Sequence, residues 1–436
     1  MDMKIKEFKI KYFKNLESID ISTDSKINLI VGKNNVGKTS LIQSLYIAFS
    51  THDFLEYYKT EYHLDSLSSL ITYSKNKSTI NIKTTRRKPN NEIQIELLRP
   101  TIKDTILFIQ EETEANFHNN SNEPYLVKLN KRIKETSGDI KKIFESFNMD
   151  KIKILLEELI DSNKNKIENN MKNDVIINGK YYPSNETMDI ILDFQRSIFK
   201  RYIENTKKIS NKRYLEDTIN NLLFSSKFKF KFGPYFISSS MRYKTYADTS
   251  ILYINTNNID LGQFYNESET VAIEIQEIIK NENLLANLER FTFRSLVFNL
   301  EGIRQEIPLE LMGDGFKDFI YIISRLLQCT KSKIKPVILI EEPEMHMHPG
   351  YIIEFVRYLI NFSINNNLQF FITTQSEDLI NSFLSEEIDK KLQNALKKEL
   401  KIIRLTNADG ANIIDTINYE DALENINTLY LDLRGI

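Results

Sequence analysis

Residues 32–39 read GKNNVGKT and match the pattern G-x-x-x-x-G-K-[ST] at every position. The two glycines let the backbone wrap, so that its N–H groups converge on phosphate oxygens. The helix that opens near Gly37 directs the positive end of its dipole at the same anion. We predict that Lys38 reaches the β- and γ-phosphates of a nucleotide and that the Thr39 hydroxyl coordinates Mg²⁺. The predicted phosphate-binding residues are Gly32, Lys33, Asn34, Asn35, Val36, Gly37, Lys38, Thr39 and Ser40.

The residues around this loop favour a strand before it and a helix after it. The apolar run at residues 27–31 predicts a short buried strand. Beyond the loop, apolar residues recur at helical spacing: Leu41, Ile42, Leu45 and Phe49. The chain has only 12 glycines in 436 residues, whereas average usage is about 7%. The glycines of this window therefore reflect a demand of the backbone rather than composition.

A second buried strand is predicted at residues 337–340, and two acids, Glu341 and Glu342, come directly after it. At such a strand end in a nucleotide-binding sheet, the first acid holds Mg²⁺, usually through water, and the second can deprotonate the attacking water. We therefore assign Glu341 to the metal and Glu342 to the base. Solvated glutamates after a strand are common, so the assignment depends on two neighbouring motifs. These are PEMHMHP at residues 343–349 and a strand ending in TTQS at residues 373–376.

Three further residues bear on metal or redox chemistry. His346 and His348 lie two positions apart, which could indicate a metal pair, but no cysteine or third histidine is near them in the sequence. A structural turn that meets a neighbouring subunit is the favoured interpretation. The single cysteine, Cys329, falls in an apolar helical pattern and is predicted to be a buried structural thiol.

The net charge of −2 argues against constitutive, non-specific binding of nucleic acid, for which a strongly basic chain is expected. Net charge says nothing about distribution, so contact with nucleic acid through a local basic patch stays open. The Lys–Phe alternation at residues 227–232 could suit single-stranded nucleic acid, but a strand with one buried aromatic face is the favoured interpretation. No apolar run suggests a signal peptide or a membrane span, so we expect a cytoplasmic protein without membrane contact.

Four short motifs together resemble a known family. Residues 312–316, MGDGF, place Gly-x-Gly before a helical stripe, and ahead of the acidic strand this resembles the signature loop L-S-G-G-Q of ABC-type ATPases. The set GKNNVGKT, MGDGF, ILIEEPEMHMHP and ITTQS, in this order, resembles the OLD and RecF-like group of these ATPases. The opening FKIKYFKNLESIDI and the closing NTLYLDLRG are similar to members that consist of the ATPase alone.

The resemblance implies an α/β fold, an ABC-type P-loop ATPase head with a mixed sheet and a helical insertion. Residues 1–112 would form the N-terminal lobe with the phosphate-binding loop. Residues 226–436 would form the C-terminal lobe with the signature, the acidic strand and the switch strand. Between them, residues 113–225 are rich in charged helical segments, interrupted by a predicted hairpin with its turn at Asn178-Gly179. A projecting arm and a subdomain packed on the core both stay open for this insertion.

The resemblance also implies roles for single residues. The bound nucleotide is ATP, with Mg²⁺ held by Thr39 and Glu341. Residues 346–349 would form the D-loop at a dimer seam. The residues expected to contact the γ-phosphate bound by a second subunit are Gly313, Asp314 and Gly315.

The chain departs from the ABC pattern at three places. Gly313 stands where the signature has serine, and Asp314 stands where it has its first glycine. The metal-binding acid is Glu341 rather than aspartate. The usual switch histidine is Gln375, which we place in the catalytic set with Glu342 and Lys38. Glutamine can donate a hydrogen bond but cannot titrate, so slow turnover is expected. Gln94 and Gln110 are candidates for the Q-loop.

One chain carries one phosphate-binding loop and one signature, so the resemblance implies ATP-dependent head-to-tail homodimers. About sixty residues follow Gln375, too few for a TOPRIM nuclease domain, and we expect no intrinsic nuclease activity. Similar standalone ATPases accompany a separate effector, a nuclease or toxin, in anti-phage defence systems such as PARIS and Septu. The leading hypothesis is therefore an ATP-driven sensor or scaffold for such an effector. A DNA-repair ATPase that clamps DNA, and a slow or non-hydrolysing nucleotide-bound scaffold, are the alternatives.

Overall fold

A computed structural model of the chain describes the following residues: 3–51, 53–55, 58, 67–85, 92–115, 149–205, 251–256, 269–281, 284–330, 335–385, 387–408, 411–428 and 432–434. The Lys–Phe alternation at residues 227–232 lies outside them, as do residues 116–148 and 206–225 of the predicted insertion.

Strands and helices are numbered in chain order over these residues. The strands are β1 (Ile5–Phe13), β2 (Leu16–Ser22), β3 (Ile27–Val31), β4 (Lys77–Thr84), β5 (Glu92–Leu98), β6 (Val175–Ile177), β7 (Lys180–Tyr182), β8 (Ile251–Asn255), β9 (Leu288–Phe291), β10 (Ser295–Leu300), β11 (Ile303–Pro308), β12 (Val337–Glu341), β13 (Phe370–Thr374), β14 (Leu400–Ala408) and β15 (Ala411–Asn418). The helices are α1 (Lys38–Phe49), α2 (Ile102–Ala115), α3 (Met149–Ser162), α4 (Lys164–Asn170), α5 (Asn185–Asn205), α6 (Glu269–Asn281), α7 (Asp314–Thr330), α8 (Pro349–Asn366), α9 (Glu377–Leu384), α10 (Lys390–Glu399) and α11 (Tyr419–Asn427).

The chain forms two compact units. The first comprises Met1–Leu55, Thr79–Ile95 and Lys244–Ile436, and the second comprises Glu56–Ser78 and Glu96–Tyr243. The first unit therefore holds both ends of the sequence and every motif of the family resemblance. The boundaries predicted for the insertion stay predictions.

A six-stranded mixed sheet forms the centre of the first unit, in the order β15-β14-β3-β13-β12-β8. The five strands from β14 to β8 are parallel, and β15 adds an antiparallel edge. Every residue of β3, β12 and β13 is buried, as expected of parallel strands covered on both faces. The predicted mixed α/β fold is confirmed.

The register of this sheet brings the motifs to one edge. Thr374 pairs with Val31, and Glu341 pairs with Thr373 on one side and with Asn255 on the other. The phosphate-binding loop, the two acids and the switch residue all lie at or directly after these strand ends. In open α/β sheets, ligands bind in the crevice outside the carboxyl ends of the strands. The site therefore lies at this edge.

Helices α7 and α8 pack in the main hydrophobic core with the strands of this sheet. The predicted apolar stripe of α7 is buried throughout: Phe316, Phe319, Ile320, Ile323, Leu326 and Leu327. Helix α1 contacts β12 and β13. Because a stripe at 3.6-residue spacing faces one side of a helix, the sequence predicts which side of α7 meets the sheet.

Antiparallel strands complete the first unit. Strand β1 pairs with β2 and with β4, and along it buried Phe8 and Ile10 alternate with exposed Lys9 and Lys11. Strands β9, β10 and β11 form a separate antiparallel sheet.

In the second unit, α2, α3 and α5 contact one another. The predicted hairpin is confirmed, because β6 pairs with β7 around Asn178 and Gly179, both with positive φ. The buried Asp174 stabilises this hairpin, because it accepts hydrogen bonds from Tyr181 Oη at 2.6 Å and from the Ser184 N–H at 2.7 Å. Over the residues described, we find no helix with the length and apolarity that crossing a bilayer requires.

Candidate active site

The phosphate-binding loop needs glycine at both ends. Gly32 and Gly37 have φ of +158° and +107°. A Cβ on Gly32 would lie 2.5 Å from the carbonyl oxygen of Leu405, and one on Gly37 would lie 2.5 Å from a methyl carbon of Leu16. At Gly32 the contact is with backbone, which cannot move aside cheaply, and at Gly37 the positive φ itself disfavours a side chain, so a substitution at either position would strain the loop.

Two asparagines outside the motif hold the tip of the loop. Asn412 Nδ2, on β15, donates to the Val36 carbonyl at 3.0 Å. Asn15 Nδ2, between β1 and β2, donates to the Asn35 carbonyl at 3.4 Å, and Asn15 Oδ1 accepts from the Ser40 hydroxyl at 2.6 Å. These bonds keep the loop backbone turned so that its own N–H groups stay available to an anion.

Lys38 opens α1 and folds back over the loop. Its Nζ donates to the carbonyls of Gly32 and Lys33, both at 3.0 Å, and lies 3.8 Å from Glu342 Oε1. The side chain is buried. Burial lowers the pKa of Lys38, and the charge of Glu342 opposes that shift. A desolvated cation held here is placed to meet phosphate oxygens.

Glu341 ends β12 with its carboxylate fixed from the neighbouring strand. Tyr253 Oη donates to its Oε2, and Asn255 Nδ2 donates to the same oxygen at 3.3 Å. Tyr46 of α1 stacks on the Tyr253 ring, with centroids 4.8 Å apart. Both donors lie on β8, and no motif in the sequence indicates them. Both hydrogen bonds engage the same oxygen, Oε2.

Thr39 and Glu341 carry oxygen atoms of the kind that bind a magnesium ion. Mg²⁺ prefers hydroxyl and carboxylate oxygens, usually one or two from the protein with the remainder from water and phosphates. Thr39 is half-buried in the first turn of α1, and the Glu341 carboxylate is buried and anchored. This donor set is consistent with the predicted roles of Thr39 and Glu341.

A second lysine lies near these acids. Lys14, in the turn between β1 and β2, donates from Nζ to Gln43 Oε1 of α1 at 2.8 Å. Burial lowers the pKa of Lys14 to about 8, and the charge of Glu341 opposes that shift. Lys14 lies in the opening stretch FKIKYFKNLESIDI, but the sequence assigns it no role, because its place depends on how the β1–β2 turn meets α1.

Glu342 sits on a constrained backbone between the loop and the switch strand. Its φ is +40°, and its N–H donates to the Thr373 carbonyl at 3.1 Å. Its Oε2 accepts from Gln375 Nε2 at 3.2 Å, while Oε1 faces Lys38. Burial raises the pKa of Glu342, and Lys38 opposes the shift. A carboxylate with a raised pKa is a better proton acceptor near neutral pH, so the structure brings Lys38, Glu342 and Gln375 together around one point.

Glu344 is a further buried acid that the sequence did not single out. One of its carboxylate oxygens accepts from the Thr374 hydroxyl. The other has no hydrogen-bond partner among the described residues. Burial raises the pKa of Glu344 to about 7, the Thr374 hydrogen bond opposing the shift.

Of the three signature residues, Gly315 lies against the turn that follows β12 in its own chain. A Cβ on Gly315 would lie 2.3 Å from the carbonyl oxygen of His346. Gly313 and Asp314 are exposed, and a Cβ on Gly313 would meet nothing within 4 Å. Within the described part of the chain, no hydrogen bond or ion pair joins these three residues to residues 32–39.

The two histidines make structural hydrogen bonds. His346 Nδ1 bonds Asp318 Oδ2 of α7 at 2.8 Å, and His348 Nδ1 accepts from the Gly350 N–H at 3.1 Å as the N-cap of α8. No group of three metal-ligating side chains occurs over the ranges that the structure covers. A structural turn is thus supported, and its contact with another subunit stays a prediction.

Cys329 is buried in α7, and burial raises its pKa to about 12. The prediction of a buried structural thiol is confirmed.

Comparison with known proteins shows which family the chain matches. Residues 3–380 match the family described as AAA ATPase domain. The chain is 24% identical to an ATP/GTP phosphatase of Helicobacter pylori over 404 residues, covering 86% of each protein. It is 28% identical to endonuclease GajA of Bacillus cereus over 85% of this chain and 54% of GajA. It is 24% identical to Septu protein PtuA of Bacillus thuringiensis over 46% of this chain and 48% of PtuA. Each of the last two matches spans about half of the relative's own length.

Proposed function

Because the chain belongs to the AAA ATPase domain family, we propose that it binds ATP with Mg²⁺ at residues 32–39 and hydrolyses it with Glu342 as the general base. One observation carries this proposal. Glu342 lies 3.8 Å from the Lys38 ammonium and accepts a hydrogen bond from Gln375. A base, a phosphate-binding cation and a neutral hydrogen-bond donor therefore meet at the end of one parallel sheet.

Each residue has a part that its surroundings support. The Lys38 ammonium binds phosphate oxygens in exchange for the loop carbonyls it now contacts. Thr39 and Glu341 hold Mg²⁺, which would neutralise charge on the phosphates when bound. Glu342 takes the proton of the attacking water, and its raised pKa favours that transfer. Gln375 keeps the carboxylate oriented and donates without titrating.

The proposal includes a head-to-tail homodimer in which the signature of one copy covers the ATP of the other. The exposure of Gly313 and Asp314 supports it. Two large apolar side chains beside this loop and the following turn, Leu311 and Met345, are 75% and 45% exposed. Exposed apolar groups at such a position suit burial against a partner.

We further propose that ATP turnover makes the protein a sensor or scaffold for a separate effector in anti-phage defence. The similarity to Septu protein PtuA and to endonuclease GajA supports this role. The effector would be a nuclease or toxin. We expect no nuclease activity from this chain itself. Because GajA is an endonuclease, incubation of the purified protein with plasmid DNA and Mg²⁺ is the direct check.

Phosphate release from ATP tests the enzymatic proposal. The wild-type protein should release phosphate only with Mg²⁺, and Glu342→Gln should lower kcat by about 10²- to 10⁴-fold, the usual contribution of a general base. Fluorescent ATP should still bind the variant. Glu420→Gln, on the exposed face of α11, is the matched control and should keep wild-type turnover.

Three outcomes would contradict the proposal. A Glu342→Gln protein that turns over ATP at the wild-type rate would contradict the role of Glu342. A wild-type protein that does not bind ATP would contradict the nucleotide site. A wild-type protein that binds ATP and releases no phosphate would contradict the hydrolysis and indicate a nucleotide-bound scaffold.

A further inference from the structure

Residues 432–434 lie beside the switch turn, which comprises residues 375–376 between β13 and α9. About sixty residues separate the two segments in sequence. Arg434 Nη1 donates to the Gln375 carbonyl at 3.3 Å, and Arg434 Nη2 pairs with Glu377 Oε1. Leu433, which stands between Asp432 and Arg434, is buried. An apolar anchor thus fixes the segment, and a guanidinium reaches the backbone of the residue that contacts the general base.

Asp432 holds the guanidinium in place. Arg434 Nε lies 2.9 and 3.1 Å from the two Asp432 oxygens, and Arg434 Nη2 lies 2.8 Å from Oδ2. A planar guanidinium held along one edge by a carboxylate loses little further freedom when it donates to another group. The Arg434 hydrogen bonds lower the pKa of Asp432, and Lys33 in the phosphate-binding loop adds to the shift.

We propose that Arg434 is a positioning residue for hydrolysis, which fixes the Gln375 backbone so that its side-chain amide stays on the Glu342 carboxylate. The inference rests on the proposed function of Glu342. The contacts run in sequence from Arg434 to the Gln375 carbonyl and from the Gln375 amide to Glu342 Oε2, the latter at 3.2 Å. Arg434 itself touches no reacting atom.

The flexibility of glutamine is the reason that such support matters. Its side chain has three rotatable bonds, so a fixed backbone is needed to hold the amide in one place. Displacement of a catalytic group by about 1 Å can cost about 10²-fold in rate. Glu377, which opens α9 immediately after the turn, ties the same guanidinium to the helix.

The variant Arg434→Ala tests the role by steady-state ATP hydrolysis. We expect kcat to fall by about tenfold or more, with KM and melting temperature nearly unchanged, because binding residues are untouched. Arg434→Lys keeps the charge but loses the side-on pairing of Nε and Nη2 with Asp432. Its kcat should therefore lie between those of the wild type and Arg434→Ala. Arg304→Ala removes an exposed guanidinium paired with Glu289 and is the matched control.

A double-mutant cycle separates positioning from general damage to the fold. The Gln375→Ala protein lacks the amide that Arg434 positions. Adding Arg434→Ala to it should therefore leave kcat unchanged. Equal losses in both backgrounds would overturn the inference, as would an Arg434→Ala protein with wild-type kcat.

Hydrogen exchange gives a readout that needs no turnover. The Ser376 N–H donates to Thr374 Oγ1 at 3.0 Å, and Arg434→Ala should speed its exchange while Arg304→Ala leaves it unchanged. Unchanged exchange in both variants would overturn the contact. Faster exchange together with an inactive wild-type enzyme would uphold the contact and contradict the proposed ATPase activity, so the two failures are distinguishable.

Discussion

At the scale of single residues, Glu344 shows how burial decides the state of a carboxyl group. Glu344 lies two residues after the proposed base Glu342 and accepts a hydrogen bond from the Thr374 hydroxyl. Burial raises its pKa from the ordinary 4.5 to about 7. The folded protein therefore binds a proton on Glu344 that the unfolded chain releases between these two values. Stability must change with pH over that window.

The sign of the change is set by proton linkage. Below pH 4.5 the group is protonated in both states and its contribution is fully present, and stability is lost as pH rises towards about 7. The Glu344→Gln protein lacks this loss. We therefore expect its free energy of unfolding, relative to that of the wild type, to rise by roughly 3 kcal/mol between about pH 4.5 and pH 8. Urea unfolding of both proteins across this range measures it.

Glu420→Gln, the same substitution at an exposed acid, is the matched control. Parallel stability curves for wild type and Glu344→Gln would show that Glu344 ionises normally in the folded protein.

The residues of the site differ in how far sequence alone reveals them. Lys38, Thr39, Glu341 and Glu342 are recognised because each stands in a short motif whose chemistry depends on adjacent residues. The roles of the supporting residues are not recognised, although Asn15 and Arg434 lie in the opening and closing stretches of the family resemblance, because each acts through a strand or turn that is distant in sequence. These supports are Asn15 and Asn412 at the loop, Tyr253 and Asn255 at the metal-binding acid, and Arg434 at the switch turn.

At the scale of elements, the buried parallel strands were predictable and their order was not. The apolar runs of β3, β12 and β13 stand out because both faces of each strand are buried. Nothing in those runs says that β13 lies between β3 and β12, or that β8 lies beside β12. Strand order is set by crossovers between distant segments, and the local pattern does not record it.

The two glycines of the signature, Gly313 and Gly315, should respond differently to substitution by alanine. Gly315→Ala would place a Cβ 2.3 Å from the backbone carbonyl of His346, whereas Gly313→Ala meets nothing within 4 Å. Since backbone atoms cannot move aside cheaply, Gly315→Ala should lower the free energy of unfolding by about 1–3 kcal/mol. Gly313→Ala should change it by less than about 0.5 kcal/mol, as for ordinary surface positions.

Denaturant unfolding of the two variants alongside wild type gives the comparison. If Gly315→Ala were as stable as Gly313→Ala, the close packing of the signature on residues 346–347 would not exist in solution.

At the scale of the whole molecule, the family match confirms the resemblance to OLD and RecF-like ATPases that the four ordered motifs indicated. The motifs sit in one compact unit, assembled from both ends of the chain. Across the described residues, the phosphate-binding loop and the signature of one copy form no hydrogen bond or ion pair with each other. That two copies enclose ATP stays a proposal, which the exposure of Gly313 and Asp314 supports.

The trapped state of Glu342→Gln tests this account most directly. The protein is incubated with ATP and Mg²⁺, separated by size exclusion with light scattering, and its bound nucleotide is identified. We predict a species of about twice 51.2 kDa that carries unhydrolysed ATP, one per copy. A monomer, or a dimer that carries ADP, would contradict the claim that two copies enclose ATP and that Glu342 is needed to cleave it.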